Sequence, residues 1–302
     1  MNECGCVCYP APTQAPVADL CREPVEGEIA VCPVCPHHCR LHEGQLGRCG
    51  ARRAEDGEVA CESYGELIAL ALDPIEKKPL ARFHPGTTVL SVGSYGCNMR
   101  CPFCQNYEIA TARPGAVPTR YWSPAEVVCK ARGLRAKDCI GIAYTYNEPC
   151  VAYEFVRDTA ALAHRQGLAN VLVSNGMICP APLSEIIPYL DAANIDLKGP
   201  RAVYRRLDGD LVCVENTIRA LSLAGVHVEV TTLVVPGLND DPATIGRMAA
   251  WLATVDERIP YHLTRFFPCH RMADAQPTPL ATLRAAQQAA QLSLETVLLG
   301  NV

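Results

Sequence analysis

The sequence has no excess of positive charge and no long apolar run. Its 302 residues include 27 lysines and arginines against 32 aspartates and glutamates, which gives a net charge of −5. The basic residues form no stripe, so electrostatic binding to nucleic acid is not expected. Apolar runs stay shorter than the roughly 18 residues needed to cross a bilayer, so we expect no membrane association.

A secretory signal is also missing from the first residues. The segment Met1–Cys8 offers neither a basic region nor an apolar core. We therefore expect a cytoplasmic protein, whose 18 cysteines serve as metal ligands or buried thiols rather than disulfides. With 49 % hydrophobic residues, the chain is long enough to build the core of a single α/β barrel.

Three of the cysteines have no fourth partner at short range. Cys97, Cys101 and Cys104 lie in the string Gly96-Cys-Asn-Met-Arg-Cys-Pro-Phe-Cys-Gln-Asn106. Thiolates are the usual ligands of iron–sulfur clusters, and four of them normally saturate one cluster. The C-x3-C-x2-C spacing thus predicts a [4Fe–4S] cluster with one open iron, since catalytic metal sites keep an open position. The alternative is a zinc knuckle that borrows a fourth ligand.

Alternating β-rich runs and amphipathic helices follow from residue 88 onward. This alternation predicts βα units around a parallel sheet, and hence an α/β fold of the partial (β/α)6 barrel type. Strands are expected near 88–94, 139–145, 169–174, 192–196, 226–235 and 261–266. Helices are expected near 124–136, 150–166, 182–190, 214–224, 242–255 and 279–292, with Ser123 and Thr278 as capping residues. We expect three units: a lead-in over 1–30, a Cys-rich N-terminal segment over 31–87 and the barrel over 88–302.

The cysteine string and its surroundings resemble the radical S-adenosylmethionine (SAM) superfamily. The wider pattern is similar to the AmmeMemoRadiSam-system enzymes, which are relatives of the pyruvate formate-lyase activating enzymes. Its parts are Asp73-Pro-Ile-Glu-Lys-Lys-Pro-Leu80, Phe83-His-Pro-Gly86, Gly96-Cys-Asn98 and Cys104-Gln-Asn106. The resemblance implies a radical SAM barrel in which SAM chelates the open iron, and in which one electron cleaves SAM to a 5′-deoxyadenosyl radical that abstracts hydrogen. It also implies an electron donor such as flavodoxin or ferredoxin, and partnership with Memo-like and Ammecr-like proteins.

The resemblance also implies which strand ends hold SAM. The cofactor-binding residues implied by the resemblance are Asn147, Glu148, Ser174, Asn175 and His262. Phe103, which directly precedes the last cysteine, and Asp196 and Lys198, which share one face of a strand, are further candidates from the sequence itself. Phe103 would stack on the adenine, and a carboxylate such as Glu148 suits the SAM ammonium by charge-assisted hydrogen bonding. Each position also has an ordinary structural interpretation as a polar strand end, a turn, an ion pair or a core histidine.

One position departs from the activating enzymes. They have an arginine that grips the SAM carboxylate on the strand where this chain has Glu229-Val-Thr-Thr232. That role would pass to Arg265, to Lys198 or to backbone groups.

A second group of cysteines lies within the Cys-rich segment. Cys32, Cys35, Cys39 and Cys49 have the spacing C-x2-C-x3-C-x9-C, which supplies the four thiolates of a closed site. A structural zinc ion is the preferred interpretation, because it would stabilise a segment without a core of its own. An auxiliary iron–sulfur cluster that relays electrons is the alternative.

The leading hypothesis is therefore a radical SAM enzyme, an oxidoreductase whose substrate the sequence does not identify. Within that class, a glycyl-radical-enzyme activase is one alternative. From another class, a non-enzymatic scaffold with zinc at both cysteine groups is the rival, and a simple electron carrier is disfavoured by the size of the barrel.

Overall fold

The structure is a computed structural model that describes residues 29–302. The lead-in predicted over residues 1–30 lies outside the described residues except at its end, where Ala30 begins the first strand. No helix among the described residues is long and apolar enough to cross a membrane.

One eight-stranded sheet organises most of the chain. Its strands are β6 (Ala69–Pro74), β7 (Thr88–Gly93), β9 (Cys139–Tyr144), β10 (Ala169–Ser174), β11 (Ala192–Asp196), β12 (His227–Val234), β13 (Tyr261–Arg265) and β14 (Val297–Gly300). Their order is β14-β13-β12-β11-β10-β9-β7-β6. All neighbours are parallel except β6, which runs antiparallel to β7. The fold class is the predicted one, an α/β barrel that stays open between β14 and β6.

Within residues 29–302, six further strands form small antiparallel pairs. They are β1 (Ala30–Val31), β2 (Arg40–Leu41), β3 (Arg52–Glu55), β4 (Glu58–Cys61), β5 (Glu66–Leu67) and β8 (Arg120–Tyr121). The pairs are β1 with β2, β3 with β4 and β5 with β8. The Cys-rich segment thus consists of short hairpins, and its buried apolar cluster of Ala30, Leu41 and Ala54 is small.

Helices connect the parallel strands and cover the outside of the sheet. They are α1 (Tyr107–Ala110), α2 (Pro124–Gly133), α3 (Tyr153–Arg165), α4 (Pro180–Ile186), α5 (Arg201–Arg206), α6 (Leu211–Leu223), α7 (Pro242–Asp256) and α8 (Leu280–Ala290). Each long helix buries one apolar stripe; α3, for example, buries Phe155, Val156, Ala160 and Ala163.

The six predicted strands and six predicted helices are confirmed, with small differences at their ends. The capping box of Ser123 and Glu126 is also present. The assignment of Thr278 as a helix cap is wrong, because Pro279 occupies that position and makes no side-chain cap. The Thr278 hydroxyl instead donates to the Val234 carbonyl at 2.6 Å and joins the end of β12 to the loop after β13.

Candidate active site

A cavity of about 410 Å³ opens at the carboxyl ends of the parallel strands. This is the end of a βα barrel at which catalytic residues gather, and the volume suits a small-molecule ligand. The predicted residues that line it are Cys97, Cys101, Phe103, Cys104, Asn147, Glu148, Ser174, Asn175, Asp196 and Lys198. The structure therefore brings the three cysteines and seven of the eight predicted cofactor-binding residues to one place.

The cysteine loop follows β7 and begins at a glycine that no other residue could replace without strain. Gly96 has a φ of +91°, and a Cβ there would lie 2.7 Å from the Ala51 Cβ and 2.8 Å from the Cys49 carbonyl oxygen. One residue on, the Cys97 amide donates to that same carbonyl at 3.2 Å. The Cys-rich segment therefore packs against the loop that presents Cys97.

The three thiols of the loop are partly buried and lie near polar donors. Burial raises the pKa of Cys101 to about 11 and also raises the pKa values of Cys97 and Cys104. Such thiols stay protonated at neutral pH unless a metal displaces the proton. The Met99 amide and the Asn175 Nδ2 lie 3.4 and 3.6 Å from the Cys97 Sγ. The donor set fits an iron–sulfur cluster.

Asn147 and Glu148 line the cavity, but their side chains are already bonded to the protein. The Asn147 amide accepts from the Ser94 amide at 2.9 Å and donates to the Tyr95 and Gly96 carbonyls at 3.0 and 3.1 Å. It therefore fixes the turn that leads into the cysteine loop.

Glu148 joins two neighbouring strand ends. Its carboxylate accepts from the Cys150 amide at 3.0 Å, the Ser174 hydroxyl at 2.7 Å and the Asn175 amide at 2.8 Å. Burial raises the pKa of Glu148, although these hydrogen bonds oppose the shift. The Asn175 side chain in turn donates to the Asn98 Oδ1 at 2.9 Å, so this network positions the polar wall beside Cys97.

Asp196 and Lys198 form an ion pair on the cavity wall. The Lys198 Nζ lies 2.8 Å from the Asp196 Oδ2. Burial alone would lower the pKa of Lys198, but the charge of Asp196 and its hydrogen bond outweigh this effect and raise the pKa. The lysine is therefore a permanent cation near the cluster ligands.

His262 lies on β13 but is not among the residues that line the cavity. Its Nε2 lies 2.5 Å from the buried Glu229 carboxylate, which also accepts from His227 at 2.9 Å and from the amides of Ala81 and Arg82. Burial alone would raise the pKa of Glu229, but these hydrogen bonds lower it to about 2. Glu229 and its partners thus form a structural network beneath the cavity.

Arg265, one candidate for the missing arginine, also points elsewhere. Its Nε donates to the Thr278 carbonyl at 2.8 Å, and its guanidinium lies over the Phe267 ring. Lys198 is therefore the better placed of the two cations.

Sequence reasoning missed several residues of the cavity wall. They are Lys77, Tyr146, Thr231, Leu233, Thr264 and Asn301. The Thr231 hydroxyl is buried without a hydrogen-bond partner in the described structure. Residues 231 and 233 lie two positions apart on β12, and residue 264 lies on the neighbouring strand β13. Because side chains alternate between the two faces of a strand, this spacing could have identified the three residues once the inward-facing side was known.

The second cysteine group also converges. Cys32, Cys35, Cys39 and Cys49 line a small cavity together with Val34, His37, Leu41, Gly47, Arg48, Arg52 and Val151. Within the part of the chain that the structure describes, however, no three His, Cys, Asp or Glu side chains are arranged to hold a metal ion.

Comparisons with known proteins give similarities at the level of the family and the fold. The model of the Radical SAM superfamily matches residues 91–248. The chain is 39 % identical over 274 residues to an uncharacterized protein of Methanocaldococcus jannaschii, which covers 90 % of this chain and 81 % of that protein. It is 28 % identical over 180 residues to the pyruvate formate-lyase 1-activating enzyme of Escherichia coli K12, over 55 % of this chain and 71 % of that enzyme.

Two solved structures share the fold. A radical SAM methyltransferase from Sphaerobacter thermophilus superposes with a TM-score of 0.55 at 16 % identity, over 72 % of this chain and 67 % of that one. SuiB of Streptococcus suis bound to S-adenosylmethionine superposes with a TM-score of 0.53 at 9 % identity, over 68 % of this chain and 48 % of that one.

Proposed function

Because the chain belongs to the radical SAM superfamily, we propose that it cleaves SAM reductively at a [4Fe–4S] cluster held by Cys97, Cys101 and Cys104. The superfamily implies an iron–sulfur cluster and SAM, together with electrons from flavodoxin or ferredoxin. The observation that supports the proposal is the meeting of these three cysteines with a polar cavity at the barrel mouth. Cys97, Cys101 and Cys104 would hold the cluster, and the chemistry it would supply is one electron for the cleavage of SAM to methionine and a 5′-deoxyadenosyl radical that would abstract a hydrogen atom.

The residues of the cavity have distinct roles in this proposal. Lys198 binds the SAM carboxylate, and Asp196 holds the lysine in place and faces the ammonium or ribose. Phe103 is buried next to Cys104 and packs against the adenine. Asn175 stays near Cys97, and Thr231 forms part of the cavity wall.

Other residues shape the site without contacting the ligand directly. Asn147, Glu148 and Ser174 hold the strand ends, and His262 supports the base of the barrel through Glu229. The enclosing walls keep water away from the radical.

We further propose that residues 31–87 act as a small Cys-rich unit on the barrel of 88–302, with β6 as the strand that joins them.

The test is anaerobic reconstitution with iron and sulfide, dithionite reduction, addition of SAM and chromatography for 5′-deoxyadenosine. We expect this product from the wild-type chain and none from the Cys97→Ala variant. A Cys213→Ala variant, altered outside the cavity, serves as the matched control. If the wild-type chain has a verified cluster but forms no 5′-deoxyadenosine, the proposal is wrong.

For the biological context, we propose an AmmeMemoRadiSam-type system with Memo-like and Ammecr-like partners. The motif over Asp73–Leu80 supports this by its resemblance to that group of enzymes, and Asp73 of the motif accepts hydrogen bonds from Lys78 and from Tyr146 of the cavity wall. Affinity purification from the native host should recover such partners.

The similarity to the pyruvate formate-lyase 1-activating enzyme supports a second candidate, an activase of a glycyl-radical enzyme. A glycyl-radical signal in the electron paramagnetic resonance (EPR) spectrum of a copurifying protein would favour that candidate.

A further inference from the structure

The cysteine loop borders a second cleft, on the side that faces α1 and the segment after β13. The three cysteines of the loop line the main cavity at the barrel mouth. They also line this outer cleft, which has a volume of about 50 Å³ and includes Arg100 and Arg271 in its wall. Such a volume is far below the roughly 300 Å³ of a small-molecule pocket. The outer cleft therefore brings the cysteines close to the surface without offering room for SAM or a substrate.

The segment after β13 fixes one wall of the outer cleft. The amide of Arg271 donates to the carbonyl of Pro102 in the cysteine loop at 2.9 Å. The His270 ring stacks on the Tyr107 ring of α1, with 4.4 Å between the ring centroids and 15° between the ring planes. These contacts hold the wall against the cysteine loop, so the surface around the cleft is formed before any partner binds.

Arginines around the outer cleft carry charge that no carboxylate balances. Arg100 is exposed, and its guanidinium donates to two carbonyls of the cysteine loop at 2.8 and 3.1 Å, which leaves its charge in place. Arg113 and Arg271 are also exposed, and neither forms an ion pair with another residue of the described range 29–302. Arg113 belongs to this rim because Thr111, two residues earlier, lines the cleft.

Acidic side chains near this rim offset only part of that charge. Asp208 follows the Leu207 carbonyl, which accepts from the Arg100 amide at 2.8 Å, and it is already paired with Arg48. Glu108 is exposed on α1 and opposes one of the arginines. A positive excess therefore remains here, on a chain whose net charge is −5. A local excess of this kind steers a partner of negative charge.

The position of the outer cleft suits the delivery of electrons. The cleft reaches the three cysteines from a side other than the main cavity, so it stays accessible when SAM and a substrate fill the barrel mouth. Transient redox complexes use small interfaces, and charge rather than a deep pocket guides their formation. A one-electron carrier protein with acidic residues around its redox group fits both the position and the charge.

We propose that Arg100, Arg113 and Arg271 form the docking face for an acidic one-electron carrier of the flavodoxin or ferredoxin kind. The carrier would lose one electron and the cluster held by the three cysteines would gain it, while no bond is broken and no proton is transferred. The inference rests on the proposed function, because only a redox cluster at these cysteines requires a carrier.

Charge reversal at the docking face tests the proposal. The double variant Arg113→Glu/Arg271→Glu leaves Arg100 and the cysteine loop unchanged. Its iron content is verified after anaerobic reconstitution, and its reduction by flavodoxin hydroquinone is followed by stopped-flow absorbance. At low salt we expect this reduction to be at least about tenfold slower than in wild type. The wild-type rate should fall with rising ionic strength, whereas the rate of the variant should not.

Arg132→Glu/Arg165→Glu is the matched control, with the same change in net charge. Both arginines are exposed in the last turns of α2 and α3, at the end of the barrel opposite to the cysteine loop. Flavodoxin should reduce this control at the wild-type rate. The methyl viologen radical cation, a small reductant that needs no docking face, should reduce all three proteins at similar rates, which would show that their clusters are intact.

Binding of oxidised flavodoxin gives a second readout that needs no catalysis. A titration followed by flavin fluorescence should show a dissociation constant at least about tenfold higher for the docking-face variant alone. An unchanged rate of reduction and unchanged binding in that variant would overturn the proposal. Equal slowing in the control variant would also overturn it, because net charge alone would then explain the effect.

Failure of this inference is distinguishable from failure of the proposed function. If the wild-type chain has a verified cluster but forms no 5′-deoxyadenosine with dithionite, the proposed function is wrong, whatever the rates with flavodoxin. If it forms 5′-deoxyadenosine with dithionite and flavodoxin reduces the two double variants alike, the function stands and the docking face is wrong.

Discussion

Lys198 is the residue on which SAM affinity should depend most. Its ammonium is held at 2.8 Å from Asp196 on the cavity wall and faces the place of the SAM carboxylate in the proposed site. Replacing it by methionine removes a charge-assisted hydrogen bond, which contributes about 1.5–3 kcal/mol. We therefore expect Lys198→Met to weaken SAM binding about 10- to 100-fold, as measured by anaerobic equilibrium dialysis on reconstituted protein.

Lys77 provides the matched control for that experiment. It also lines the cavity, but its side chain is 67 % exposed, so Lys77→Met should change SAM affinity by less than about threefold. Equal losses in the two variants would mean that general positive charge, rather than Lys198 itself, binds the carboxylate.

Glu229 should make stability depend on acid pH. Hydrogen bonds from His227 and His262 lower its folded pKa to about 2 from an ordinary 4.5. A carboxyl group with a lowered folded pKa stabilises the protein above its unfolded pKa and loses that contribution as pH falls. We therefore expect Glu229→Gln to cost about 3 kcal/mol at pH 7, and the cost should shrink between pH 4.5 and about 2.

Denaturant unfolding of both proteins at several pH values measures this difference. Asp241→Asn is a suitable comparison, since Asp241 caps α7 at the surface and is not part of the Glu229 network. A pH-independent difference between wild type and Glu229→Gln would contradict the assignment.

At the scale of elements, periodicity predicted the βα units well because each strand is buried on both faces and each helix on one. The edge strands β6 and β14 were not predicted. β14 has four residues, which is too short for a clear periodic pattern. β6 lies in the Cys-rich segment, and it forms a strand because it pairs with β7 rather than because of its local sequence pattern.

The candidate site was predictable in part. Strand ends indicated Asp196 and Lys198, because the residues that follow buried strands in a βα barrel meet at one mouth. The sequence does not give the depth of a residue along its strand, so the pattern predicts His262 at the SAM site, and the structure adds its contact with Glu229. The unpaired hydroxyl of Thr231 depends on tertiary contacts, which the sequence does not display.

The turn before the cysteine loop gives a prediction at the element scale. A methyl group at Gly96 would lie 2.7 Å from the Ala51 Cβ, and its φ of +91° disfavours any other residue. We expect Gly96→Ala to displace Cys97 and to reduce catalytic-cluster iron after reconstitution by at least about half, with a cost in stability of about 2 kcal/mol.

Gly133 is the control, since a Cβ there meets nothing within 4 Å at the end of α2. Gly133→Ala should keep the wild-type iron content and should be neutral or slightly stabilising. Normal iron content in Gly96→Ala would show that the loop tolerates the shift and that the close packing against residues 49–51 is not required.

At the scale of the whole molecule, the Cys-rich segment is joined to the barrel through an ion pair whose arginine is buried and whose glutamate is partly exposed. Arg52 of β3 is 3 % exposed and makes two hydrogen bonds to Glu154 of α3, at 2.9 and 2.6 Å. The apolar cluster of the segment itself is small, so much of its order depends on contacts of this kind. The same contacts place Cys49 against the Cys97 loop.

Removal of the carboxylate should therefore destabilise the join between the two units. Glu154→Ala leaves a buried, unpaired guanidinium, which costs about 3–5 kcal/mol, whereas Glu185→Ala breaks the exposed pair with Arg157 and should cost less than about 1 kcal/mol. Thermal unfolding and hydrogen exchange measure both effects. We expect faster exchange over residues 40–61 in Glu154→Ala alone, because the hairpin of β3 and β4 loses its anchor on α3. If the two variants exchange alike, contacts other than this ion pair hold the Cys-rich segment on the barrel.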